Sequence, residues 1–414
     1  MGTVETARLT EAQPLTGRDA RVGIWGVFGT GNFGNEALLE SLLLRVRGES
    51  IRPLVLCEGP DDVRLRHDVE AMSLGTPART GGRFGGRMRI AGNRLRLLIR
   101  AVRTVGTLDS VVVAGSGGFE RYGAGSFGPP FEIWALALAC RMLRRPFVLL
   151  DVGVEVSPRR LARFFASSSG RWSAARSYRD SASRRAMESM GLASTREDPV
   201  VADLAFSLVP GDDLPSFDPR AAVVGVMEYN GRDADADEGP AATSYRRRLV
   251  ELVHLLTDAG WRVVLVGGDD VDLAAARKLR GLPPAVEIVE ARTPEELMAV
   301  TGSAAVTVAT RFHTVVMSLL ARTPVISIGY GEKHRAVLLQ LGLDDTHLDV
   351  EHFVPTDVLS LVDRTARRRE EIVSRIDSGV AAARGRLDAQ WPHVSAVLTS
   401  RVARAHSGRR TVAG

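Results

Sequence analysis

The chain has 414 residues, 45% of them hydrophobic, and its mean hydropathy is zero. This composition excludes a disordered or fibrous chain and is typical of a globular protein large enough for two domains. The formal net charge of +5 is too small to predict nucleic-acid binding, and all but two of the 54 positive residues are arginines, the exceptions being Lys278 and Lys333.

The cysteines and the N-terminus predict a reducing compartment. Cys57 and Cys140 lie in apolar segments, and their spacing indicates neither a metal site nor a disulfide. The N-terminus is polar, with no apolar core of signal-peptide length, and the longest apolar run, residues 133–140, is too short to span a membrane. We therefore expect a cytoplasmic protein.

From residue 21 onward, short apolar runs alternate with longer amphipathic stretches, as is typical of parallel βαβ units. Each run is short, nearly continuous in apolar residues and closed by glycine or a charge, which predicts buried strands. Strands are predicted in the first half at 22–29, 53–57, 110–115 and 146–153, and in the second half at 222–227, 262–268, 286–290, 304–309 and 324–330.

These strands predict an α/β protein with two Rossmann-like domains and a cleft between them. The proline- and aspartate-rich segment 210–220 has the composition of a linker. The predicted organisation is a flexible tail (1–20), an N-terminal domain (21–212), a C-terminal domain (213–355), C-terminal helices (356–405) and a frayed tail (406–414).

Residues 79–103 carry eight arginines and five glycines. The first part predicts a mobile basic loop and the second an amphipathic helix. A solvated loop and helix face explain this segment, and so does an anion or membrane-surface patch for a lipid-linked acceptor.

A glycine-rich turn, Gly29-Thr30-Gly31-Asn32-Phe33-Gly34-Asn35-Glu36, follows the first predicted strand and opens a helix. Its glycines let the backbone approach a ligand, and the amides of a helix start attract an anion. Because the turn satisfies GxGxxG and Glu58 ends the next strand, a dinucleotide site is one interpretation. A tight turn with Glu36 in the first helical turn is the other.

A second glycine turn, Gly115-Ser116-Gly117-Gly118-Phe119, follows the strand predicted at 110–115. Both turns would line the same edge of one sheet, which favours a ligand cleft there.

Two further segments place cations on the rim of that cleft. Arg311 and His313 are two residues apart at a strand-to-helix junction, one suited to hold an anion and the other to move a proton. The segment 329–334 opens the following helix, so Lys333 lies on the same rim as His313. A lone histidine is more often a packing residue, but this one has Arg311 and Lys333 beside it.

The last motif, residues 177–183, precedes another helix. Ser181 is the predicted N-cap. Arg179, just before it, is placed to meet an anion, although an ordinary surface arginine explains it equally well.

In order and spacing these motifs resemble the polysaccharide pyruvyl transferase family, over residues 21 to about 343. The family's GxGNxGDEA turn corresponds to Gly29, Gly31, Asn32, Gly34, Glu36 and Ala37, and its GGG-type turn to Gly115-Ser116-Gly117-Gly118. Its RD-x-x-S segment corresponds to Arg179, Asp180 and Ser183. Its R-x-H motif and the downstream Y-x-x-K motif correspond to Arg311 and His313 and to Tyr330 and Lys333. The chain departs at Asn35, where the family usually has aspartate, and at Ser116, in the middle of the glycine turn. Both lie on the side assigned to the acceptor.

The resemblance implies a GT-B-like fold with the acceptor on the N-terminal domain and the donor on the C-terminal domain. It implies transfer of a pyruvyl group from phosphoenolpyruvate to two hydroxyls of a saccharide, with release of phosphate and no metal or further cofactor. The residues it assigns are Arg311, Lys333, Arg179 and Tyr330 for the donor, His313 for proton transfer, and Gly31, Asn32, Asn35, Glu36, Ser116 and Gly117 for acceptor or loop contacts.

The expected partners are phosphoenolpyruvate and a saccharide or lipid-linked saccharide, with no nucleic acid. A lipid-linked acceptor would bring the protein to the inner face of the plasma membrane. Three alternatives remain from sequence: a GT-B glycosyltransferase using a nucleotide sugar, a dinucleotide-dependent oxidoreductase, and a surface-binding module based on residues 79–103.

Overall fold

The computed structural model describes residues 18–75, 86–115, 117–120, 126–193, 195, 198–211, 216–231 and 239–410. Residues 1–17 of the predicted N-terminal tail, residues 79–85 of the predicted basic loop, and residues 411–414 of the predicted C-terminal tail therefore lie outside the described residues. So does Ser116.

Two parallel six-stranded sheets form the centre of the fold, which confirms the predicted α/β class. In the first sheet the strand order is β3-β2-β1-β4-β5-β6. Its strands are β1 (Ala20–Trp25), β2 (Ile51–Leu56), β3 (Glu70–Met72), β4 (Ser110–Ala114), β5 (Phe147–Val152) and β6 (Ala175–Tyr178). The four predicted strands are confirmed, and the two short strands β3 and β6 were not predicted.

The second sheet has the order β12-β11-β10-β7-β8-β9. Its strands are β7 (Asp218–Val226), β8 (Arg262–Gly267), β9 (Glu287–Val289), β10 (Ala304–Ala309), β11 (Val325–Gly329) and β12 (His347–Asp349). All five predicted strands are present. The first residues of β7 belong to the segment predicted as linker, because the strand begins at Asp218 and pairs with Ala304 there.

Within each sheet, a helix connects every strand to the next one along the chain. Their bounds are α1 (Phe33–Val46), α2 (Pro60–His67), α3 (Gly86–Gly106), α4 (Pro129–Met142), α5 (Arg160–Trp172), α6 (Ser181–Ser189), α7 (Pro240–Asp258), α8 (Asp270–Lys278), α9 (Pro294–Gly302), α10 (Phe312–Leu320), α11 (Glu332–Gln340), α12 (Pro355–Arg367) and α13 (Arg369–Arg410). No helix in the described part of the chain is long and apolar enough to cross a membrane.

The final helix, α13, returns from the second domain to the first, where it packs against β1, β4 and β5. The Ser110 hydroxyl donates to the Leu398 carbonyl at 2.9 Å, and the Trp391 indole donates to Glu49 at 3.0 Å. The helix extends to Arg410, past the end predicted at 405. It thus ties the two domains together instead of forming a separate C-terminal unit.

Each sheet reverses its strand order at one point, between β1 and β4 in the first and between β7 and β10 in the second. Ligands of open parallel sheets bind outside the carboxyl ends of the strands at such switch points. The residues that follow these four strands, including Val27, Gly115, Met227 and Arg311, line one cavity between the domains. The topology therefore fixes the place of the site.

Candidate active site

The cavity between the domains has a volume of about 520 Å³. Helices α1, α10 and α11 begin at its wall, so the positive ends of their dipoles lie next to it. It brings together most of the predicted site residues: Asn32, Asn35, Gly117, Arg179, Arg311, His313, Tyr330 and Lys333. Gly31 and Glu36 are not part of its lining.

The glycine turn of the first domain supports the catalytic histidine candidate of the second. A Cβ on Gly34 would lie 1.8 Å from Nδ1 of His313, so the imidazole rests directly on the backbone of α1. No residue with a side chain fits at position 34 unless the ring moves. The glycine is there for close packing between the domains.

Glu36 binds the backbone of the glycine-rich turn. Its buried carboxylate accepts a hydrogen bond from the Gly29 amide at 2.8 Å. A pyrophosphate at this turn would compete with that carboxylate for the same amide and be repelled by its charge. The contact favours the second of the two interpretations, a tight turn with Glu36 in the first helical turn.

The neighbouring asparagines differ in their roles. Asn32 is the N-cap of α1: its side-chain oxygen accepts from the Asn35 amide at 3.2 Å, and its amide donates to Asp269 of the other domain at 3.3 Å. Asn35 lines the cavity. Gly31 has a φ of 75° and faces Asp270, so its place in the turn is conformational.

Two buried cations meet one carboxylate on the cavity wall. The Lys333 ammonium donates to Oε2 of Glu120 at 2.6 Å, and Nη2 of Arg179 donates to Oε1 at 3.1 Å. The side chain of Arg179 is 6% exposed, and those of Lys333 and Glu120 are 10% exposed. Because Lys333 belongs to the second domain and the other two to the first, this cluster spans the cleft.

Each charged group in the cluster stabilises the ionised form of its partner. Burial alone would raise the pKa of Glu120, but the positive charges of Lys333 and Arg179 hold it well below its usual range. Burial alone would lower the pKa of Lys333, but the Glu120 carboxylate raises it above its ordinary value. Both cations therefore stay charged at neutral pH.

Arg179 is also surrounded by aspartates. Its Nε donates to Asp180 at 3.1 Å, and its Nη1 lies 3.7 Å from Asp203. Asp180, not Ser181, is the N-cap of α6, since its side chain accepts from the Ser183 amide at 2.7 Å. The guanidinium is thus fixed by several carboxylates and is no ordinary surface arginine.

His313 is held neutral beside this cluster. Burial lowers its pKa to about 4, and although Asp203 favours the charged form, Lys333 and Arg179 oppose it. Its Nε2 lies 3.8 Å from Oδ2 of Asp203, and neither atom has a hydrogen-bond partner among the described residues. A neutral imidazole next to a carboxylate oxygen that has no hydrogen bond can accept a proton and be stabilised once it is charged.

Arg311 is already engaged by two aspartates. It makes a bidentate pair with Asp272, with both hydrogen bonds at 2.6 Å, and a third contact to Asp269 at 3.3 Å. Its side chain is 26% exposed and lines the cavity. It can therefore meet a ligand while it also neutralises the fully buried Asp272.

Phe312 and Tyr330 form an aromatic support for the cations. The Arg179 guanidinium lies 4.6 Å and the Lys333 ammonium 5.6 Å from the centre of the Phe312 ring. The Tyr330 ring centre is 5.0 Å from the same ammonium. These rings exclude water around the charges and so strengthen their attraction for an anion.

Three residues of the site were not found from sequence: Glu120, Asp203 and Gly153. A Cβ on Gly153 would lie 2.7 Å from Glu120 and 2.8 Å from Arg179, so this glycine makes room for the pair. Two sequence signals could have indicated them: Glu120 directly follows the second glycine turn, and Gly153 directly follows β5. Asp203 lies in a segment without a motif, and only the fold brings it to His313.

The second-domain side of the cavity is rich in acid. Glu228 lines the cavity, and Asp269, Asp270 and Asp272 lie at the start of α8 next to it. Arg311 offsets part of this charge. The other two cations of the cavity, Arg179 and Lys333, lie away from these aspartates and share Glu120.

Comparisons with known proteins identify both the family and the fold. A family model described as polysaccharide pyruvyl transferase matches residues 32–332. Similar solved structures include the calicheamicin glycosyltransferase CalG4 (16% identity, TM-score 0.55, covering 92% of this chain and 98% of that one) and Acinetobacter baumannii MurG (14%, 0.52, 92% and 99%). UDP-GlcNAc 2-epimerase from Neisseria meningitidis, bound to UDP-GlcNAc, is also similar (11%, 0.55, 92% and 99%).

These structures show a GT-B fold, in agreement with the prediction. They include glycosyltransferases and an epimerase, so the fold alone does not select a reaction. The reaction depends on the residues that line the cavity.

Proposed function

Since the chain belongs to the polysaccharide pyruvyl transferase family, we propose that it transfers a pyruvyl group from phosphoenolpyruvate to a saccharide, forming a cyclic ketal and releasing phosphate. The observation that carries this proposal is the buried pair of cations, Arg179 and Lys333, beside the neutral His313. The donor has a phosphate and a carboxylate, and such a ligand requires fixed, desolvated positive charges.

The chemistry needs one carbon to become electrophilic. A first sugar hydroxyl adds across the C=C bond of phosphoenolpyruvate: its oxygen bonds to the carbon that carries the phosphate, and its proton passes to the enol methylene. A second hydroxyl then displaces phosphate. Two C–O bonds form and the C–O bond to phosphate breaks, while one hydroxyl proton ends on the new methyl group and the other leaves with phosphate.

His313 is the group that moves these protons. With a pKa of about 4 it is unprotonated at neutral pH and can take the proton of an attacking hydroxyl. The negative charge of bound donor raises that pKa, and Asp203 stabilises the imidazolium that forms. The same ring can then return a proton to the methylene carbon.

The acceptor side is the wall contributed by the first domain. Asn35, Glu58 and Gly117 line it and offer hydrogen-bonding groups suited to sugar hydroxyls. Asn35, in place of the usual aspartate, and Ser116 remain the positions expected to influence which saccharide is used. The proposal also includes a lipid-linked saccharide as acceptor and contact of the protein with the inner face of the plasma membrane. It requires no metal or further cofactor.

The nucleotide-sugar alternative fits the cavity less well. A sugar nucleotide carries a diphosphate, and the second-domain wall next to it presents Glu228 and the α8 aspartates, with Arg311 already paired to Asp272. Repulsion from these carboxylates disfavours a diphosphate there. The cation cluster favours a smaller phosphorylated acid.

The proposal is tested by incubating the enzyme with phosphoenolpyruvate and a panel of glycosides and measuring phosphate release, with mass spectrometry of the sugar. We expect release only when an acceptor is present, a pyruvylated product, and loss of both in His313→Gln. Release of phosphate without any sugar product, or none with the whole panel while a nucleotide sugar is consumed, would reject it.

A further inference from the structure

Helices α3 and α5, beside the first sheet, carry exposed apolar side chains. Leu95 and Ile99 of α3 are 59% and 42% exposed, and Leu161 and Phe164 of α5 are 40% and 50% exposed. Val156, just before α5, is 44% exposed. Apolar groups gathered on one surface mark an interaction site more often than a face that meets only water.

This surface is strongly basic. The two stretches that carry these side chains, 92–106 and 156–164, contain seven arginines and no acidic residue. We call them together the α3–α5 surface. Since nothing acidic is interspersed, the surface complements an anionic partner.

Helix packing places the two parts of the α3–α5 surface in one layer, since α4 packs against both α3 and α5. The Arg94 guanidinium lies 3.1 Å from the centre of the Phe127 ring, which is 5.9 Å from that of the buried Phe165. Phe164, exposed on α5, is 5.8 Å from Phe165. Ring contacts beneath the surface therefore connect Arg94 of α3 with α5.

The α3–α5 surface borders the mouth of the cavity. Pro129, the first residue of α4, lines the cavity. Glu155, next to Val156, approaches the start of α11, with Oε1 3.3 Å from a Cβ placed on Gly331. A partner held on this surface would thus lie beside the substrate opening.

We propose that the α3–α5 surface docks on an anionic phospholipid membrane. Phe164 and Leu161 enter the headgroup region while Arg159 and Arg160 meet lipid phosphates, as amphipathic helices with aromatic and basic residues do at interfaces. Docking turns the mouth of the cavity toward the bilayer. The α3 part of this surface, residues 92–103, belongs to the segment 79–103 in which the sequence allowed a membrane patch, whereas the α5 part, residues 156–164, was not predicted. The inference rests on the proposed function, because it assigns the membrane contact proposed there to particular residues.

The test is flotation of the full-length protein with vesicles of phosphatidylcholine, with and without phosphatidylglycerol. We expect binding only to the anionic vesicles, and its loss at about 1 M salt, where the screening length falls to about 3 Å. Arg159→Glu with Arg160→Glu should weaken partitioning at least ~25-fold, because each arginine near an anionic surface contributes about fivefold. The control pair, Arg280→Glu with Arg367→Glu, reverses two exposed arginines elsewhere and should bind as wild type.

A second variant tests the apolar part. Phe164→Glu should reduce vesicle binding with a folded thermal transition, and Leu65→Glu, at a site 86% exposed on α2, should not. Equal binding to both vesicle types, wild-type binding by the α3–α5 variants, or a change of oligomeric state in those variants without vesicles would overturn the proposal. Phosphate release with a soluble acceptor is the separate readout, since it should stay unchanged in these variants whatever the vesicle result.

Discussion

Replacing Lys333 by methionine separates its structural contribution from its function. The side chain keeps its length and apolar stem but loses the charge that lies 2.6 Å from Glu120. Removing one partner of a buried ion pair costs about 3–5 kcal/mol. Since Glu120 keeps its contact with Arg179, we expect a loss at the lower end, about 3 kcal/mol in the free energy of unfolding.

The same variant should bind phosphoenolpyruvate more weakly. A hydrogen bond from a charged group contributes about 1.5–3 kcal/mol. Its loss should raise the dissociation constant of phosphoenolpyruvate roughly 10- to 150-fold. Urea denaturation measures the first effect and calorimetric titration the second. Lys278→Met, at an exposed position, is the matched control and should stay within about 0.5 kcal/mol of wild type.

A double variant distinguishes the two effects. Lys333→Met with Glu120→Gln leaves no unpaired charge, and the new amide oxygen can still accept from Arg179, so most of the stability should return. Donor affinity should not return, because the cation is still missing. Wild-type affinity in the double variant would refute the assignment of Lys333 to the donor, and unchanged stability in the single variant would refute the account of the cluster.

The remaining predictions concern the residues around this cluster. Gly34→Ala should displace the His313 ring, lowering turnover while costing only about 1–3 kcal/mol of stability; full activity would contradict the packing that we describe. Because the pKa of His313 is about 4 in the folded state, the unfolded chain binds its proton first as pH falls. Stability should thus drop by about 3 kcal/mol between pH 6.5 and 4, and His313→Gln should remove this part of the acid sensitivity. Arg311→Met should destabilise the fold by about 3–5 kcal/mol through the unpaired Asp272, and adding Asp272→Asn should recover much of that loss in denaturant titrations.

The fold was predictable where its elements are long and apolar. Eight of the nine strands predicted from sequence are interior strands of the two sheets, whose burial leaves continuous apolar runs. The strands β3, β9 and β12 have three residues each and side chains only partly buried, and of these only β9 was recognised. Whether α13 would pack on the first or the second sheet depends on long-range contacts, which periodicity does not contain.

Part of the site was predictable from the positions of the motifs relative to the strands. Motifs at the carboxyl ends of parallel strands must meet at one edge, which is why Arg179, His313 and Lys333 line one cavity. Glu120 could not be recognised as their partner, because its role depends on two cations far away in the chain. The packing of His313 on Gly34 likewise exists only once the domains are together.

The central claim is that the cluster of Arg179, Lys333 and His313 binds phosphoenolpyruvate as the donor. Its most direct test is calorimetric titration of the wild-type protein and of Lys333→Met with phosphoenolpyruvate and, separately, with UDP-sugars. We predict saturable binding of phosphoenolpyruvate to the wild type, roughly 10- to 150-fold weaker binding to Lys333→Met, and weak or no binding of UDP-sugars to either. Binding of a UDP-sugar with no heat from phosphoenolpyruvate would contradict the claim.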